Sequence, residues 1–315
     1  MKHFISCDWG TSSFRLRLVN AETQVVVAET KSPQGIAATD ALWKEQSDTD
    51  RISFYSNIIL RQIVLLEEQC GYSLNDITII ISGMASATIG MIELPYKSIP
   101  FPVSKAEFVT YIISKTEICM HTMIIISGVR SDDDVMRGEE TILAGCNIKD
   151  DNEKRLFIFP GTHSKHVVVQ NGIIQNIKTF MTGELFELLS SKSILATSVE
   201  KDSTSDESNA AFIKGVKEAV DSNFLNSIFH VRTNSLFEKL DRKNNYHYLS
   251  GLLIGEELKN IQAEDYVFVT IVSTGALQAL YTEALLALGF KEKLIQQNAE
   301  EALIKGQVSI FDQYQ

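Results

Sequence analysis

The sequence predicts an α/β protein made of two similar domains that meet near residue 150. Three observations predict it. A strand–strand–strand–helix–strand–helix–strand–helix pattern ends near Cys146, and a similar pattern begins at Leu156. A charged run, Asp150-Asp151-Asn152-Glu153-Lys154-Arg155, lies between the two. Each half carries a Gly-Thr-x-Ser tetrapeptide between its first two strands, at Gly10–Ser13 and Gly161–Ser164. One such tetrapeptide reads as an ordinary turn; two at equivalent places are hard to assign to chance.

The first half justifies its elements in order. Phe4 to Cys7 is a short apolar strand, and Asp8-Trp9-Gly10-Thr11-Ser12-Ser13 a polar turn. Phe14 to Val19 alternates at strand period, and Gln24 to Glu29 is a Val-rich third strand. Short turns between these three favour an antiparallel meander. Phe54, Ile58, Ile59, Ile63 and Leu66 recur at helical spacing, and Gly71 ends that helix. Ile77 to Ile81 and Met123 to Ile126 are apolar runs of strand length, read as buried parallel strands. A weaker helix is expected over about 105–118. Arg137 to Cys146 reads as helical, with Glu139 and Glu140 in a first turn where the helix dipole favours them.

In the second half, Leu156 to Phe159 is a strand and Pro160-Gly161-Thr162-His163-Ser164 a turn. His166 to Val169 and Ile173 to Phe180 form a hairpin about Asn171-Gly172. A helical stretch over about 181–262 follows, with a polar loop at Lys201 to Asn209. Tyr266 to Val272 is a buried strand, Ala276 to Leu288 a helix, and Asn298 to Ile304 a last helix. The expected domains are 1–148 and 149–315, the second with a helical insertion at about 181–262.

Composition narrows the partners. Of 315 residues 44% are hydrophobic and 22% charged, as in ordinary globular chains, and this length folds without metal or disulfide staples. Net charge is −11, from 29 Lys+Arg against 40 Asp+Glu, which disfavours nucleic acid and anionic membranes as partners. A small anionic ligand needs only a local cluster of donors. Cys7, Cys70, Cys119 and Cys146 have no C-x-x-C spacing and read as reduced thiols, consistent with a cytoplasmic protein. No signal peptide and no apolar run of membrane-spanning length is expected. The apolar helical stretch of the second half offers a homodimer contact.

A tight hairpin turn of Gly and hydroxyl residues aims N–H and O–H groups at one point, which makes a phosphate cradle. Asp8, just before the first turn, is placed to hold Mg²⁺ through water, although an Asp there also caps turns. Other phosphate and hydrolytic signatures are missing. There is no G-x-x-x-x-G-K-[ST], G-x-G-x-x-G, H-E-x-x-H or G-x-S-x-G, and His3, His121, His166, His230 and His247 lack metal-ligand spacing.

The Asp-x-Gly-Thr-Ser hairpin and the duplicated element order resemble the sugar kinase/Hsp70/actin superfamily. More narrowly, a series of segments resembles the 2-dehydro-3-deoxygalactonokinase family. They are Asp8-Trp9-Gly10-Thr11, Ser32-Pro33-Gln34-Gly35-Ile36, Ser82-Gly83-Met84, Asp134-Val135-Met136-Arg137-Gly138-Glu139-Glu140-Thr141, Pro160-Gly161-Thr162-His163-Ser164-Lys165, Met181-Thr182-Gly183-Glu184-Leu185 and Leu249-Ser250-Gly251-Leu252-Leu253. Met91 after Gly90, and Ser127 where a proline is expected, depart from the pattern.

The resemblance implies two RNase-H-like (actin-like ATPase) domains with a central cleft, in which the two turns clamp ATP. It implies transfer of the γ-phosphoryl group to the terminal 6-hydroxyl of 2-dehydro-3-deoxy-D-galactonate, with ATP and Mg²⁺ as cofactors. A related 2-keto-3-deoxy sugar acid, or a regulator of the same fold that binds without phosphorylating, are the alternatives. A phosphatase-like hydrolase of the fold is a third.

Gly10, Thr11, Ser12 and Arg15 would hold phosphates from the first domain, and Gly161, Thr162, His163 and Ser164 from the second. Lys165 would neutralise charge on the transferred group. Asp134 is the candidate base, with Glu139 second, although a run of three Asp is usually a solvated loop or a cap. Arg137 would grip the substrate carboxylate in two-pronged fashion or contact the phosphates, or else pair with a helix-start glutamate such as Glu140. Gln34, Gly35, Gly83, Met84 and Glu184 are further substrate-side candidates. Gly251 and Gly275 are candidates for close approach to adenosine, with helix packing an equal account of Gly251.

Overall fold

The computed structural model describes residues 2–46, 49–103, 107–116, 119–201 and 206–314. Its contacts divide the chain into two units. The first comprises Met1–Asp150, Gly172–Ile177 and Ala299–Gln315; the second comprises Asp151–Asn171 and Lys178–Asn298.

The first unit opens with β1 (His3–Trp9), β2 (Phe14–Asn20) and β3 (Val26–Ser32), each antiparallel to the one before. Helices α1 (Ile36–Glu45) and α2 (Arg51–Cys70) follow. Asp50 starts α2 by accepting the Ser53 N–H, and Gly71, at φ 75°, ends it in the left-handed region. Strand β4 (Ile79–Gly83) then pairs parallel to β1. The short strands β5 (Lys97–Ser98) and β6 (Phe101–Pro102) precede β7 (Thr110–Ile113) and β8 (Met123–Ile126). The hairpin β9 (Val129–Arg130) and β10 (Val135–Met136) leads into α3 (Glu139–Ala144). The main sheet runs β3-β2-β1-β4-β8-β7, with β4 and β8 parallel. Trp9, Phe14, Leu16, Tyr55, Ile59, Ile63 and Ile81 fill the core beneath α2.

The second unit repeats this plan. Strands β11 (Arg155–Phe159), β12 (Ser164–Gln170) and β13 (Ile173–Phe180) form its meander, turned at Asn171-Gly172 with both residues at positive φ, although Gly172–Ile177 groups with the first unit. Helices α4 (Thr182–Lys192), α5 (Asp206–Asp221), α6 (Phe224–Ser227), α7 (His230–Leu236) and α8 (Arg242–Leu258) form the helical insertion. Strand β14 (Phe268–Ser273), helix α9 (Gly275–Ala287) and strand β15 (Leu294–Asn298) complete a six-stranded sheet of order β6-β13-β12-β11-β14-β15. Strands β11, β14 and β15 are parallel. The last helix, α10 (Ala299–Phe311), belongs to the first unit. Phe311 stacks on Phe4, and Gln307 Nε2 donates to Ser82 Oγ at 2.9 Å.

Several elements differ from the sequence reading. The helix expected over 105–118 is in part strand β7. Its β-branched Thr110, Ile112 and Ile113 pair with β8, and residues 104–106, 117 and 118 lie outside the described residues. The loop expected at Lys201 to Asn209 is helical from Asp206, while 202–205 lie outside the described residues. Helix α3 starts at Glu139 and not at Arg137, because Gly138 adopts φ 109°. Helix α1 and strand β15 were not expected, and the C-terminal helix, counted with the second domain, groups with the first.

Candidate active site

In the first unit the C-terminal ends of the parallel strands β1 and β4 lie side by side, the edge where open α/β sheets place ligands. The turn after β1 closes with the Gly10 N–H donating to the Ser13 carbonyl at 2.9 Å. Thr11 and Ser12 are exposed. The Ser32–Ile36 segment lies directly against this turn. Ile36 N–H donates to Gly10 O at 3.0 Å and Ala37 N–H to Thr11 O at 3.1 Å. The Trp9 indole N–H donates to Gln34 O at 3.1 Å. A Cβ on Gly35 would stand 2.3 Å from Thr11 O, so only glycine fits there.

The second unit builds its turn by the same device. The Glu184 N–H, at the start of α4, donates to Thr162 O at 3.0 Å. A Cβ on Gly183 would stand 2.6 Å from Gly161 O. Gly35 and Gly183 are thus structural equivalents, each carrying a helix N-terminus hard against a Gly-Thr turn. Thr162 and His163 are exposed, and nothing lies within 4 Å of the place a Gly161 Cβ would take. His163 Nε2 is hydrogen-bonded to Glu184 Oε2. Ser164 is fully buried, its hydroxyl 2.9 Å from the Tyr281 hydroxyl. Lys165 is buried too, and its ammonium donates to Thr179 Oγ1 at 2.9 Å. Among the described residues no carboxylate pairs with that ammonium, which leaves a buried charge electrostatically incomplete.

Arg137 is held in place from two sides. Its Nη1 donates to the carbonyl and hydroxyl of Ser86, and its guanidinium lies 4.2 Å from the Tyr96 ring centroid. Its Nε is buried without a hydrogen-bond partner. The pairing with Glu140 weighed from sequence does not form. Glu140 is 1% exposed, accepts from the Gly138 N–H at 2.7 Å and bonds the Thr141 hydroxyl. Burial and the neighbouring Glu139 charge push its carboxyl up to about 8. Gly138 and Gly83 both have positive φ, and a Cβ on Gly138 would approach Gly83 Cα at 3.3 Å. Met84 opens a short 3₁₀ turn right after Gly83. The Arg137 segment and the end of β4 are therefore neighbours.

Asp134 closes the β9–β10 hairpin turn. Its carbonyl accepts the Ser131 N–H at 2.8 Å, and its Oδ1 accepts the Val135 N–H at 2.8 Å. Glu139 Oε2 accepts the Arg137 N–H at 3.0 Å. Gly275 sits exposed at φ 63° at the start of α9, just beyond β14 and beside the strand that leads into the Gly161 turn.

Two expected site residues are already engaged by other groups. Arg15 Nη1 donates to Glu300 Oε1 at 2.6 Å and its Nε lies 3.9 Å from Glu29, so its charge is already matched. Gly251 lies in the crossing of α5 and α8, where a Cβ would stand 2.0 Å from Phe212 O. It serves helix packing and offers no surface to adenosine. Sequence reasoning also missed Ser86, Tyr96 and the buried role of Glu140. Ser86, two residues beyond the Ser-Gly-Met segment, was the one signal available.

Asp8 is half-buried, and desolvation, opposed by Arg15 and Arg17, raises its pKa. Among the described residues no three His, Cys, Asp or Glu side chains gather as a metal cage. Mg²⁺ that arrives with a nucleotide takes one or two carboxylates and phosphate oxygens, and Asp8 at the end of β1 fits that demand.

Comparison with known proteins agrees with this geometry. The pattern of the 2-keto-3-deoxy-galactonokinase family matches residues 8–310. A relative from Rhizobium meliloti (strain 1021), named a probable 2-dehydro-3-deoxygalactonokinase, is 30% identical over 311 residues, covering 96% of this chain and 95% of that protein. The 2-dehydro-3-deoxygalactonokinase of Escherichia coli (strain K12) is 28% identical over 306 residues, covering 91% and 90%. A crystal structure from Sinorhizobium meliloti, whose description names a 2-dehydro-3-deoxygalactonokinase, superposes with a TM-score of 0.84 at 29% identity, covering 98% of this chain and 96% of that one. With two units, each carrying a Gly-Thr turn after its first strand, the chain belongs to the 2-keto-3-deoxy-galactonokinase family.

Proposed function

We propose that this protein transfers the γ-phosphoryl group of ATP to the 6-hydroxyl of 2-dehydro-3-deoxy-D-galactonate, a step of galactonate catabolism. The observation that carries this reading is the twin construction of the Gly10 and Gly161 turns, each exposed and each backed by a glycine at a helix start. Backbone N–H groups, Thr11, Ser12 and Thr162 would hold phosphate oxygens. Lys165, buried without a carboxylate, would match charge developing on the transferred group. Gly275 would let the nucleotide approach the start of α9. Asp8 would hold Mg²⁺ through water, and the ion would supply charge neutralisation between phosphates.

Arg137 would bind the sugar-acid carboxylate. Ser86 and Tyr96 fix the guanidinium while its Nε has no partner. Gln34, Gly35, Gly83, Met84 and Glu184 would line the substrate side. Asp134 would take the proton of the attacking hydroxyl as its oxygen bonds to phosphorus and the bridging oxygen leaves with ADP; Glu139 is the second candidate. The four free cysteines suit a cytoplasmic setting.

The test is ADP release with Mg·ATP, in the presence and absence of 2-dehydro-3-deoxygalactonate. Sugar-dependent release is expected. Release indifferent to the sugar acid, or none with any sugar acid, overturns the reading.

A further inference from the structure

Behind the Gly161–Ser164 turn lies a carboxylate that phosphoryl transfer does not use directly. Glu257, near the end of α8, is 3% exposed. Its Oε2 accepts from the Tyr281 hydroxyl at 2.6 Å and from the Thr182 hydroxyl. Its Oε1 meets His166 Nε2 at 2.8 Å. The Tyr281 hydroxyl is in turn 2.9 Å from Ser164 Oγ, so a hydrogen-bonded path joins Glu257 to the last residue of the turn. Taking a carboxylate out of water is costly unless donors fill its lone pairs, and here three donors do. An apolar residue would pack α8 more cheaply.

The donors come from three elements, and each bears part of the phosphate site. Thr182 opens α4 and directly precedes Gly183, which backs the turn. Tyr281 stands on α9, almost two turns after Gly275. His166 and Ser164 lie on β12, directly after the turn, with the His166 ring packed 4.5 Å from that of Phe180. We infer that Glu257 is a positioning residue, with Tyr281 and Thr182 as its arms, that fixes the Gly161 turn against the starts of α4 and α9. Donors held in place before the nucleotide arrives need no reordering when it binds, and displacement by about 1 Å costs on the order of 10²-fold in rate. The inference rests on the reading that this turn holds ATP phosphates.

Tyr281→Phe and Thr182→Val each delete one arm and keep its shape. Calorimetric titration with Mg·ATP, alongside KM for ATP and for the sugar acid, reads the effect. Each variant should weaken ATP binding on the order of tenfold, the size of one lost hydrogen bond to a charged group. KM for the sugar acid should stay at the wild-type value, and Thr182→Ser should restore ATP affinity. Wild-type ATP affinity in both variants overturns the inference. So does an equal loss for both substrates that follows a fall in Tm. A wild-type protein that binds no Mg·ATP overturns instead the reading of the turn.

Discussion

At the scale of single residues, glycines separate folding from chemistry. Gly35 and Gly183 face backbone atoms at 2.3 Å and 2.6 Å from a would-be Cβ. Gly35→Ala should therefore destabilise by about 1–3 kcal/mol and lose activity together, since the turn must move. Gly161 has open space at the same point. Gly161→Ala should leave Tm near wild type yet weaken ATP binding on the order of tenfold, if the phosphates come as close as the turn allows. Thermal melts and nucleotide titrations on the two variants distinguish the cases. Lys165→Met should remove a buried charge at little or no cost in stability, while kcat falls on the order of 10²–10³-fold. Asp134→Asn should lower kcat on the order of 10²–10⁴-fold with KM held, and a near-normal rate moves the base to Glu139. The Asp8, Gly-Thr and Arg137 candidates could be named from sequence because their residue types are chemically specific in their patterns. The ion pairs of Arg15 could not, since its partners Glu29 and Glu300 lie distant in sequence and only the folded sheet brings them together.

At the scale of elements, α3 carries a proton-linked device. The ordinary glutamate value is 4.5, and the folded Glu140 carboxyl titrates at about 8. Between those pH values the folded chain holds a proton that the unfolded chain gives up, so stability declines as pH rises through that window. Tm should fall by roughly 5–10 °C from pH 5 to pH 8.5, and Glu140→Gln should flatten the decline. Melts at several pH values check both. The crossing of α5 and α8 makes the opposite case. Gly215, Gly251 and Gly255 all meet backbone or side-chain atoms of the facing helix. Gly251→Ala should cost about 1–3 kcal/mol without a specific effect on ATP binding, and parallel melts and titrations show it. From sequence, the Gly251 segment seemed equally suited to either role, because a glycine on a helix has the same letter whether it meets a ligand or another helix. The long amphipathic helix and the apolar strands were legible by period. Strand β7 was not, since its pairing with β8 decides it and the local pattern does not.

For the molecule as a whole, the repeat was its most legible property. Two sheets that share the order of five strands, with the same Gly-Thr turn after the first strand, follow from two runs of like pattern. The fine point, that Gly35 and Gly183 occupy equivalent places behind those turns, was hidden because the segments Ser-Pro-Gln-Gly-Ile and Met-Thr-Gly-Glu-Leu share only their glycine. The net charge of −11 also takes on a location. Acidic groups such as Glu29 and Glu300 are spent on Arg15 and Arg17, while Lys165 and the Arg137 guanidinium have no carboxylate partner among the described ion pairs.

Helix α10 gives the chain a timetable. Its Gly306 and Ala302 press on Thr141 and Gly145 of the α3 segment, and its Gln307 bonds beneath β1 and β4. A ribosome delivers β1 first and α10 last, with the whole second unit between them. The first unit thus lacks these contacts until synthesis reaches residue 299 and beyond. The second unit, whose segments 151–171 and 178–298 are both made before α10, is free to fold before its elder neighbour closes.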